Sequence, residues 1–129
     1  MLYHSVAALL GSAYFTVSFE FETSGSIAEG GAPISLGAAI ANLEGKLCTK
    51  QDGTIESFYS LIRTPPGYTW SVCIYRRKCP QTYRGASECL TAPDFKDVYS
   101  DFLKWIVSVC NTSKFVITAH NGYVCDFLF

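Results

Sequence analysis

The sequence has no surplus of charge of either sign. Ten lysines and arginines stand against eleven aspartates and glutamates, for a formal net charge of −1 at pH 7. A chain so balanced lacks the broad positive field that gathers duplex nucleic acid without regard to sequence. Its one dense basic cluster is Arg76-Arg77-Lys78, with Arg84 beyond it. The chain also lacks an apolar run of about 18 residues, so no transmembrane helix is expected. A short apolar stretch at residues 6–10 is preceded only by His4, not by the basic residues of an export signal. An intracellular protein with no membrane association is therefore expected. Internal repeats and low-complexity segments are absent as well.

Cysteine spacing excludes a further class. The six cysteines are Cys48, Cys73, Cys79, Cys89, Cys110 and Cys125, and no two of them form the CxxC pair of a structural zinc site. A small secreted protein held by three disulfides is an alternative reading, but it requires export. Without an export signal, reduced thiols are expected. By the same logic, the glycosylation-like triplet Asn111-Thr112-Ser113 has no meaning unless the chain is exported. What is present suits a folded core. Apolar residues make up 49% and aromatics 15% of 129 residues, the size of a single domain.

Periodicity then divides the chain. Residues 14–22 alternate, with Phe15, Val17, Phe19 and Phe21 on one side and Thr16, Ser18, Glu20 and Glu22 on the other. That pattern predicts a strand with one buried face. Glycine, serine and proline break the chain before a second strand at 34–42, and a third is expected at 55–62. Between these two strands, Leu43-Glu44-Gly45-Lys46 and Gln51-Asp52-Gly53 are rival turn candidates. The region 14–67 thus reads as a three-stranded meander joined by short loops, after an N-terminal extension at 1–13. Residues 68–92 show no clear period and read as a long loop with room for one short helix.

A helix is expected from Pro93, with Asp94 in its first turn, to about residue 109. Its apolar stripe is Phe95, Val98, Tyr99, Phe102 and Ile106. Residues 115–119 read as a short, fully buried strand, and the segment from Tyr123 as the opening of another helix. The chain closes on Phe127-Leu128-Phe129 with no polar cap, so the domain is expected to be incomplete at its C-terminus. The fold class expected from this order is α/β, a mixed sheet with helices.

Two groups of residues carry chemistry. Glu20 and Glu22 lie two apart on a strand, so their carboxyls leave the same face with Cα atoms ~6.5 Å apart. Such a pair can converge on hard divalent cations, although a solvated strand face would show the same alternation. The second group is "AHNGYVCD". Its His120-Asn121 pair falls where the last strand ends, and Asp126 falls at the next helix start. Taken singly, a histidine there is more often structural, and an aspartate in a first turn can simply favour the helix dipole.

Together and in order, these residues resemble the DEDDh branch of the DEDD 3′–5′ exonucleases. Glu20-Phe21-Glu22-Thr23-Ser24-Gly25 is similar to that family's first motif, a strand bearing D-x-E and then Thr and Gly. "ISLGAA" and "ESFYSLIRTP" are similar to its second and third strands. Ala119-His120-Asn121 with Asp126 is similar to its second motif. The resemblance covers about residues 14–129, least well in the loop at 68–91. It implies a ribonuclease-H-like domain that removes nucleotides from 3′ ends of single-stranded DNA or RNA with two Mg²⁺ or Mn²⁺ ions. It further implies that Glu20, Glu22 and Asp126 serve as metal ligands and catalytic carboxylates. Thr23 and Ser24 would lie beside the terminal nucleotide, and Asn121 would position the sugar-phosphate or brace the strand end.

Two departures accompany the resemblance. Glu20 stands where the family has aspartate, moving the carboxylate out by one methylene. The third motif, a His shortly before a final Asp, is expected beyond residue 129, because His120 belongs to the second motif. These departures leave a second expectation open, a catalytically degenerate module that binds nucleic acid or protein without turnover.

Overall fold

A computed structural model describes residues 15–25, 30–65, 86–111 and 114–119 of the chain. Its elements are β1 (Phe15–Thr23), β2 (Pro33–Asn42), β3 (Ser57–Leu61), a short helix α1 (Ala86–Leu90), the long helix α2 (Phe95–Cys110) and β4 (Phe115–Ala119). The strands form a four-stranded sheet in the order β3-β2-β1-β4. β1 pairs antiparallel with β2 and parallel with β4, and β2 pairs antiparallel with β3. The sheet is therefore mixed, and β1 is an interior strand.

Alternation in β1 decides which face meets the helix. Val17 is buried, and Phe15, Phe19 and Phe21 pack around the same cluster as Leu36, Ile40, Ile62, Val98, Phe102, Ile106 and Cys110. The buried residues of α2 recur every fourth position, at Val98, Phe102, Ile106 and Cys110. That period lays one stripe of the helix along the sheet. Phe102 is the hub, with ring centroids 6.1 Å from Phe19, 5.5 Å from Phe58 and 6.1 Å from Trp105. The Trp105 indole N–H donates in turn to a Glu56 carboxylate oxygen at 3.0 Å.

The helix start differs from expectation by two residues. Asp94 is the N-cap and not a first-turn residue, and its carboxylate accepts the Asp97 backbone N–H at 2.9 Å. An aspartate in extended conformation satisfies a helical N–H better from outside the helix than from within it. Pro93 thus stands before the cap, where its carbonyl accepts the Arg63 N–H at 2.8 Å. This bond ties the exit of β3 to the entry of α2.

The β2–β3 connection is longer than a meander loop, because both candidate turns are made. The Asn42 side chain accepts the N–H groups of Glu44 and Lys46, and the Asp52 carboxylate accepts the Thr54 N–H and hydroxyl. Gly45 and Gly53 take positive φ angles of 78° and 84°, which is where turn glycines belong. Bridges Ala41↔Leu47 and Thr49↔Ile55 continue the ladder through the whole excursion.

The short helix allowed for within the long loop is α1, and the strand expected at 115–119 is β4. The burial expected of β4 is corrected. Phe115 and Ile117 are 38% and 41% exposed, because β4 is the outermost strand of the described sheet. The helix start expected at Tyr123 lies outside the described residues. Cys48, Cys89 and Cys110 stand as free thiols in the structure, while Cys73, Cys79 and Cys125 lie outside the described residues.

Two outcomes follow from this packing. Phe102→Ala removes the hub ring and is expected to cost about 3–5 kcal/mol, readable in chemical denaturation. Burial raises the pKa of Cys48, Cys89 and Cys110 above the ordinary thiol value. In the folded protein the buried Cys89 and Cys110 should therefore alkylate far more slowly at pH 8 than in denaturant. An unfolded thiol ionises first, so the stabilisation is complete below the ordinary thiol pKa. It is lost as pH rises toward the elevated native values, and denaturation midpoints should fall over that alkaline range.

Candidate active site

The second face of β1 carries Ser18, Glu20 and Glu22, and the sheet register decides their neighbours. Gly37 lies opposite Glu20, Ser35 opposite Glu22, and Thr118 opposite Ser18. Tyr59 lies beyond Gly37 in the same row. These residues line a groove of about 560 Å³ along the sheet face away from α2. At one side of it, the Ser18 and Thr118 hydroxyls hydrogen-bond at 2.9 Å and join β1 to β4.

The groove brings the two glutamates together, with Glu20 exposed and Glu22 half-buried. Its polar lining is carboxylate and hydroxyl oxygen, and no lysine or arginine is among the described lining residues. Such a surface draws cations, and an all-oxygen donor set suits hard divalent ions. The described residues contain no cluster of three metal-ligating side chains. The donor chemistry present thus fits one side of a divalent-cation site. Asn121, Asp126 and His120 lie outside the described residues, as does the basic cluster Arg76-Arg77-Lys78.

Just past Glu22 the strand pairing changes. Glu22 lies opposite Ser35 but Thr23 lies opposite Pro33, so Ile34 is an extra residue in β2. Bulges of this kind bend a strand and re-aim the side chains beside them. Beyond the bulge, the Ser24 N–H donates to the Ala32 carbonyl at 2.9 Å, and the Ser24 hydroxyl accepts the Ala32 N–H at 3.0 Å. Ser24 is only 2% exposed, so its hydroxyl serves the backbone that carries Thr23. Gly31 closes the same turn. A Cβ at that position would stand 2.0 Å from the Gly25 carbonyl oxygen, far inside any contact distance.

Sequence pattern picks out Glu20, Glu22, Thr23 and Ser24 but misses Gly37, Tyr59, Ser35 and Thr118. "ISLGAA" and "ESFYSLIRTP" mark the strands that carry Ser35, Gly37 and Tyr59, but neither segment names a site residue. Only the strand register places these four beside the carboxylates, although the parity of Tyr59 against the buried Phe58 is a usable signal.

Sheet order and the helix on one face define a mixed α/β fold. Solved exonuclease structures share this fold, among them one described as a DEDDh family member. Cell-death related nuclease 4 (CRN-4) superposes with a TM-score of 0.66 at 16% identity, over 88% of this chain and 37% of that one. The nuclease domain of 3′hExo, a DEDDh family member bound to rAMP, gives 0.63 at 12% identity, over 89% of this chain and 56% of that one. The metal-free form of the E. coli ExoI–ssDNA complex gives 0.58 at 12% identity, over 84% of this chain and 21% of that one. The chain therefore spans little more than half of the length of these structures at most. No family sequence model matches it, and no curated protein does.

The Ser24–Gly31 turn yields a direct test. Gly31→Ala is expected to push the Gly25 backbone aside and lower the thermal midpoint by several degrees. Gly37→Ala, whose new Cβ meets only a Tyr59 ring carbon at 3.9 Å, should leave that midpoint unchanged in the same scan.

Proposed function

We propose that this chain contributes to a metal-dependent 3′–5′ exonuclease site acting on the 3′ ends of single-stranded DNA or RNA. The observation that carries the reading is the placement of Glu20 and Glu22 on one face of an interior strand, in one groove, within a fold shared with known exonucleases. Glu20 and Glu22 would hold Mg²⁺ or Mn²⁺, with Asp126 as the third carboxylate. Bound divalent ions supply a water activated for attack on phosphorus and charge stabilisation for the leaving oxygen. The described parallel pairing of β4 with β1 runs as far as Ala119 opposite Phe19, one position before Glu20. That register supports assigning Asn121 and Asp126, which follow Ala119 closely in sequence, to the same site.

Thr23, one residue past Glu22 and opposite the bulge in β2, would meet the terminal nucleotide. Ser24 would hold that turn in place through its bond to Ala32, and Asn121 would position the sugar-phosphate. The free thiols at Cys48, Cys89 and Cys110 accord with a reducing, intracellular setting. Among the described residues, no helix is long and apolar enough to cross a membrane.

A second reading, binding without turnover, is favoured by one feature. Glu20 replaces the aspartate of the family pattern, and magnesium tolerates little departure from octahedral geometry. Two measurements separate the readings. Mn²⁺ titration followed by electron paramagnetic resonance should show a site that Glu22→Gln weakens at least ~10-fold. With a 5′-labelled single strand and Mn²⁺, stepwise shortening that Glu22→Gln abolishes supports catalysis. Strand binding with no shortening selects the second reading, and absence of both metal and strand binding overturns both.

A further inference from the structure

We propose that Tyr59 is a stacking platform for a nucleobase, a role that rests on the exonuclease-like reading of the groove. Tyr59 is 57% exposed. Its strand neighbour Phe58 is packed in the core against Phe102 and Trp105. The ring therefore contributes little to the core, yet it lines the groove that holds Glu20 and Glu22.

Gly37 explains how the groove stays open. It sits between Tyr59 and Glu20 in one cross-strand row. With no side chain there, the floor between ring and carboxylate is bare backbone. The row spans two strand spacings, ~9.6 Å from the Tyr59 backbone to that of Glu20. A nucleotide can bridge such a gap with its base at the tyrosine end and its phosphate at the carboxylate end, where a divalent ion would neutralise the repulsion. Aromatic rings bind bases through their π-faces with little regard to sequence, which suits an enzyme that works along a strand. The polar lining is carboxylate and hydroxyl oxygen, and Tyr59 is the one aromatic side chain among the described lining residues that is more than half exposed.

Anisotropy of a 5′-fluorescein single-stranded oligonucleotide in Ca²⁺ tests the assignment, with strand length read afterwards to confirm that it is intact. Tyr59→Ala should weaken binding ~5- to 150-fold, and Tyr59→Phe should retain wild-type affinity. Gly37→Val supplies an independent variant, with its fold checked by circular dichroism and its thermal midpoint against Gly37→Ala. A β-branched residue suits a strand, and here it fills the groove floor, so binding should fall as in Tyr59→Ala. On a strand whose last two 3′ nucleotides are abasic, wild type and all three variants should bind equally weakly. Tyr59→Ala binding the normal strand as tightly as wild type, or losing as much on the abasic strand, overturns the platform while leaving the site intact. A wild-type chain that binds no strand overturns the reading of the groove, and the platform with it.

Discussion

The two-residue period of β1 is the constraint on which the rest depends. One strand buries Val17 and packs Phe15, Phe19 and Phe21 against the helix while presenting Ser18, Glu20 and Glu22 to the groove. A slip of one residue would place carboxylates in the aromatic core and phenylalanines in water, an exchange of many kcal/mol by any measure of burial. Packing therefore pins the chemistry. The Phe19 ring meets Phe21 on its own strand and Phe102 on α2, and Glu20, between the two phenylalanines, can only face the other way.

The helix holds that arrangement by apolar contact more than by charge. The Arg63–Asp94 ion pair is 3.8 Å long with both side chains half-exposed, a geometry that contributes little in water. Asp94 matters more as the cap of α2, and Trp105 more as a packed ring with one satisfied N–H. The stripe from Val98 to Cys110 then makes the sheet's apolar face inaccessible, leaving the other face for ligands. Division of labour between two faces is also what lets one fold host many chemistries, so the residues on the open face, and not the fold, must carry any functional claim.

Beyond Glu22, the chain is held by different means. A bulge, one buried serine and two closely apposed glycines hold the turn that follows the carboxylates. A strand end secured by the Ser24–Ala32 bonds can present Thr23 in a defined place, where an untethered chain would sample many conformations. Catalytic and binding groups gain from such preorganisation because it lowers the entropy lost on binding.

Much of this architecture is legible in local pattern. The alternation at 14–22, the helical stripe from Phe95 and the apolar run at 115–119 are local periodicities, and each corresponds to an element within a residue or two. Parity alone places Glu20 and Glu22 on one face. Less legible are the Asp94 cap, where two adjacent residues could begin the helix, and the choice between two turns, both of which form. The burial of β4 departs from expectation because an apolar run does not say whether its strand lies inside a sheet or at its edge. By itself, the sequence determined which side chains share a face of each strand and helix, since those periods are properties of the backbone. Only the tertiary structure decided which strands lie side by side, and so put Tyr59, Gly37, Ser35 and Thr118 around the carboxylates. Register between distant segments is set by the packing of the whole core, and no local pattern encodes it.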